Sequence, residues 1–119
     1  MDAVLHKGLT QERWSELSLM EQLGNISSEV GRAINRNRRG DKVQCDRALE
    51  RALELFDITM ADSRWRHRLK EIARTREIVC DVFYGDNQYK VSLENLDKYF
   101  NQFAYAARLE HEKRLMIYD

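Results

Sequence analysis

A chain of 119 residues can bury roughly two thirds of its unfolded surface around one hydrophobic core, and it is too short for several cores. Its 20 basic and 20 acidic residues cancel, which leaves no global field to draw in nucleic acid or an anionic membrane. No apolar run approaches the ~20 residues of a membrane span, the opening MDAVLHKGLT is too short and polar for a signal peptide, and proline, the commonest helix breaker, is absent.

Residues 1–9 read as a loose arm, after which Thr10 can cap a short helix with Trp14 and Leu17 on one side. Ser18 followed by Glu21 is a capping box, so the first long helix starts at Leu19. It spans 19–38, with Arg36, Arg38 and Arg39 at the negative end of its dipole and Gly40 to stop it. Leu19, Leu23, Ile26, Val30 and Ala33 keep a single apolar seam on one side of this helix. Beside the seam runs a strip of small residues, Gly24, Ser27 and Gly31. A helical glycine costs about 1 kcal/mol against alanine, which predicts another backbone packed close to this strip. The first long helix is therefore expected at the centre of the fold.

Asp41 with Gln44 repeats the capping signal and opens a second long helix over 42–60. Its inner face is Cys45, Ala48, Leu49, Ala52, Leu55, Phe56 and Thr59, with Glu50, Glu54 and Asp57 on the opposite side. Asp62 or Ser63 caps a third over 63–84, with Trp65, Leu69, Ile72, Ala73, Val79, Cys80 and Phe83 inward. Gly85 ends it, and GDNQYK is a turn. Ser92 caps a fourth over 93–115, whose inner residues are Leu93, Leu96, Phe100, Phe103, Ala104 and Ala107. Cys45 and Cys80 both fall at apolar positions and read as reduced core thiols of a cytoplasmic protein. Rods of this length joined by short turns predict one domain over 1–119: an all-α antiparallel up-down four-helix bundle with a short extra N-terminal helix.

Two constellations could carry chemistry. SSEVGR around Glu29 and the run Glu54-Leu55-Phe56-Asp57 resemble the paired carboxylate blocks of MazG-type all-α nucleoside triphosphate pyrophosphohydrolases. That resemblance implies magnesium held by Glu29, Glu54 and Asp57. Against it, Ser28 and Arg32 stand where the family has carboxylates, and an outward acidic face does not converge on a cation. The alternative constellation is basic: Arg32, Arg36, Arg38, Arg39 and Lys42 in one cluster, Arg64, Arg66, Arg68, Lys70 and Arg74 in the other, with Trp65 and His67 interleaved. An antiparallel bundle sets the two clusters at opposite ends, so nucleic-acid binding is the lesser expectation. His6, His67 and His111 make no ligand set, and no nucleophile motif exists, so no catalytic residue, metal or cofactor is expected.

Arg76 falls inside the third helix's inner seam and needs a partner, for which Glu29 is the candidate. Tyr105, Leu109 and Met116 lie opposite Phe100 and Phe103 on the fourth helix, and Ile78 and Val82 are off the seam of the third. Large apolar residues at helical spacing on an outer face predict a protein partner, a second copy or another chain. GNISSEVGRAI, RWRHRLKEIARTREIVCD and FYGDNQY together resemble small prokaryotic helical proteins to which no activity is attached. The functional expectation is a protein-interaction or assembly module, a homodimer, with no membrane contact.

Overall fold

The computed structural model describes residues 11–118, which form an all-α bundle with no strand among the described residues. The elements are α1 (Gln11–Trp14), α2 (Leu19–Arg38), α3 (Lys42–Met60), a 3-10 segment (Ser63–Arg68), α4 (Leu69–Phe83) and α5 (Leu93–Tyr118). The arm expected over 1–9 and the cap expected at Thr10 lie outside the described residues.

Local chemistry sets the helix ends. Ser18 accepts from the Glu21 amide while the Glu21 carboxylate accepts from the Ser18 amide, a complete capping box. At the other end of α2, Gly40 takes φ +75°, and its amide donates to Asn37 O while that of Asp41 donates to Arg36 O. These two bonds close a Schellman turn, which only a residue without Cβ enters freely. Asp41 then accepts from the Gln44 amide and starts α3.

α2 is the shared wall of the fold. It packs along α3 on one flank and along α5 on the other, while α4 leans mainly on α3. Ile26, Val30, Ala33 and Ile34 of α2 meet Ala52 and Phe56 of α3 in a core with no solvent exposure. The buried face of α3 is Cys45, Ala48, Leu49, Ala52, Leu55, Phe56 and Thr59, the seven expected from periodicity.

The small-residue strip behaves unequally. A Cβ on Gly24 would lie 2.8 Å from the Ala107 Cβ of α5, so here the two backbones do approach closely. A Cβ on Gly31 would meet nothing within 4 Å, and the expected close neighbour is missing there. Gly24→Ala is therefore expected to destabilise by about 1–3 kcal/mol through overpacking against a rigid Cβ. Gly31→Ala should stabilise by up to about 1 kcal/mol through helix propensity. Urea denaturation of the two variants checks this, and equal effects would refute it.

The third long helix departs from expectation. The 63–68 stretch coils as 3-10, with non-helical angles at Trp65, before α4 begins at Leu69. Asp62 caps the Arg64 amide and clamps the Arg64 guanidinium, and the Trp65 indole is held by Gln22. These tethers tighten the chain and uncouple the phase of α4 from that of Trp65. The buried residues of α4 are consequently Ile72, Thr75 and Val79; Leu69 is exposed, and Cys80 is only partly covered.

Candidate interaction face

α5 is positioned by the turn before it. The Asp81 carboxylate accepts the Gln88 and Tyr89 amides, Asn87 brackets Val91 through both backbone groups, and Ser92 accepts the Asn95 amide. Leu96 and Phe100 then enter the core, where the Phe100 ring sits edge-on to Phe56 at 6.4 Å and to Phe103 at 6.1 Å. Farther along, Glu110 accepts from the Ser18 hydroxyl and Arg114 pairs with Glu21, which fixes the antiparallel seat of α5 on α2.

Beyond Phe100 the helix is only partly covered, with Phe103 still against the core and Ala107 on Gly24. From 101 to 116 no residue is fully buried, and from 111 to 116 every one is exposed. Large apolar side chains nevertheless continue along it: Tyr105 (59% exposed), Leu109 (38%), Leu115 (52%) and Met116 (76%). Tyr105, Leu109 and Met116 share the side away from Phe100, as their four- and seven-residue spacing requires. Ile78 and Val82 do not join them. Both are half-buried against the molecule's own core, because the altered phase of α4 turns them toward its seam.

The charged groups that stand out in the sequence find different partners. Arg76 donates through Nε to Asp57 Oδ1 at 3.0 Å, and its partner is not Glu29. Glu29 is buried and accepts from Arg32 at 2.7 Å and Arg51 at 3.0 Å. The MazG-like trio is thus divided: Glu29 and Asp57 each lie on arginine, and no group of three metal-ligating side chains forms among the described residues. Glu50 and Asp57 are exposed, as an outward acidic face requires, whereas Glu54 is half-buried.

The basic clusters stand at opposite ends of α3, about 28 Å apart by its 19 residues. Arg64 and Arg68 are paired with Asp62 and Glu71, and Trp65 carries the Arg64 guanidinium 4.5 Å from its ring centroid. The half-buried Trp65 thus has its ring beneath Arg64 and its N–H on Gln22. Burial pushes both cysteine thiols up, so Cys45 and Cys80 stay protonated and weakly nucleophilic at neutral pH.

Open hollows flank the helices. One of about 610 Å³ lies where α4 runs into its turn, beside Glu77, Asp81, Tyr84 and Tyr89. Its polar groups already hold the turn: Asp81 through the two amides, and Glu77 by accepting from the Tyr89 hydroxyl. Another, of about 360 Å³, follows the α2–α5 seam past Gly24, Ser28, Ala104, Arg108 and His111.

A buried polar node has no counterpart in the sequence pattern. Gln22, fully buried, donates to Trp14 O and to Asp62 Oδ2 and accepts from the Trp65 indole. Trp14 in turn donates to Thr59 Oγ1. Hydrogen bonding to Arg64, the leading cause, with further help from Gln22, holds the Asp62 carboxyl at about 2. The only signal in the sequence is a glutamine one position before the Leu23 of the seam.

No family model, curated protein or solved structure matches the chain. No helix among the described residues is long and apolar enough to cross a membrane.

Proposed function

We propose that the protein is a protein-binding module whose docking surface is the outer side of α5 between Tyr105 and Met116. One observation carries this reading: from 101 to 116, past Phe100, α5 has no fully buried side chain, while it still presents Tyr105, Leu109, Leu115 and Met116. A helix end with one wetted side and few core contacts is marginal alone. Tyrosine and methionine are the residue types enriched where surfaces are desolvated by a partner. A magnesium-dependent or nucleic-acid reading draws less support, since the relevant carboxylates lie on arginines and the basic clusters stand apart.

The test is site-specific photo-crosslinking in cells, with benzoylphenylalanine at position 105, 109 or 116 and at Glu50 as an exposed control on α3. Adducts are expected at the three α5 positions and not at the control. Adduct yields on α5 no higher than at position 50 would end the proposal.

A further inference from the structure

Resting on that reading, we propose that the occupant of this face is a second copy of the chain, with the two α5 helices lying antiparallel. Charge complementarity along the strip favours this occupant. Arg108 and Glu112 border the apolar strip on the same flank, four residues apart. Neither makes a hydrogen bond or ion pair with any described residue. Arginine four positions ahead of glutamate is the weaker order for pairing within one helix, so both charges remain open to an outside partner.

A two-fold axis that sets two helices antiparallel brings like flanks together. Centred near Glu110, it lays Arg108 against Glu112 of the second copy and Glu112 against Arg108 of the second copy. The same register puts Tyr105 over Leu115 and Met116 of the second copy, and Leu109 beside its own equivalent. A parallel two-fold arrangement would instead set the two like flanks on opposite sides of the seam, where Arg108 and Glu112 meet no counterpart. The strip is self-complementary in one direction only.

Its size sets the strength. The twelve helical residues from Tyr105 to Met116 make a strip about 18 Å long and about 10 Å wide. That falls below the roughly 800 Å² per partner of a standard interface. The dimer is therefore weak, and it exchanges readily.

Sedimentation equilibrium of the full chain over roughly 5–500 µM tests this. Wild type is expected to dimerise in that range and Tyr105→Asp to stay monomeric. Arg108→Glu and Glu112→Arg should each weaken association about tenfold or more, since each creates two like-charge contacts per dimer. The double variant should return to within about threefold of wild type, because the swap restores both pairs. All these positions are exposed, and circular dichroism verifies that the fold is kept. A wild type that is monomeric throughout, or a double variant no better than the singles, overturns the self-pairing. If that monomer still forms crosslinks at position 105 to a different protein, the protein-binding reading survives without the dimer. A dimer indifferent to both Tyr105→Asp and Arg108→Glu, with no adducts on α5, removes both.

Discussion

Gln22→Glu is expected to destabilise the protein by about 3–5 kcal/mol at pH 7, the cost of an uncompensated buried charge. The substitution exchanges an NH₂ for an oxygen, yet that NH₂ donates to Trp14 O and to the Asp62 carboxylate. A new carboxylate would face an acceptor and a like charge where two donated bonds had been. For a domain of this size the melting temperature should fall by roughly 12–20 °C. Gln22→Leu, which removes the bonds without adding charge, should cost less, about 2 kcal/mol.

The pH dependence comes from the sign of each shift. Burial beside Asp62 raises the new carboxyl's folded pKa, so the penalty is present at neutral pH and shrinks as acid protonates the group. Asp62 moves the opposite way: its folded value, about 2, lies below the ordinary 3.8. Its contribution is present above about 3.8 and is lost as pH falls through 2. Between neutrality and about pH 4 the variant should thus gain on wild type while Asp62 remains ionised. Thermal melts across that range measure it, and a pH-independent difference would mean that Gln22 is not confined against Asp62.

Phe56→Ala carries the other large expected loss, about 3–5 kcal/mol. Phe56 has no solvent exposure and abuts Phe100 edge-on, so truncation opens a cavity where α3 faces α5 and removes an aromatic contact besides. Against a usual total of about 5–15 kcal/mol, that one change brings the fold near its limit. Val43→Ala, at a position 62% exposed on the same helix, should move stability by no more than about 0.5 kcal/mol. Guanidinium denaturation of the pair provides the comparison, and similar midpoints for the two would contradict the placement of Phe56.

These two sites also mark what is legible in the sequence. The α3 face containing Phe56 follows from periodicity alone, because an uninterrupted helix converts spacing into facing without ambiguity. The start of α2 at Leu19 and its end at Arg38 follow from the Ser18–Glu21 box and Gly40 for the same reason: the capping bonds are local. The Gln22 node is illegible because its partners are remote: Asp62 lies 40 positions away and Trp65 lies 43. That node also explains why α4 departs from its expected phase. Periodicity makes Trp65 the head of a continuous seam, whereas the tethers at Asp62 and Gln22 coil 63–68 differently and rotate the helix beyond them. Ile78, Val82 and Leu69 change sides as a result, and Arg76 comes to Asp57. On α5 the outer residues are legible by spacing, but the point where the helix outruns its neighbours depends on how it seats on α2, through contacts such as Ser18–Glu110, which spacing does not encode.

The division of labour between the two sides of α5 has an evolutionary consequence. Its inward side answers to α2 and α3, through Phe100, Glu110 and Arg114, while Tyr105, Arg108, Leu109 and Glu112 are exposed. Substitutions can accumulate on that outer strip, and new binding preferences can be sampled there, without first passing through an unfolded ancestor.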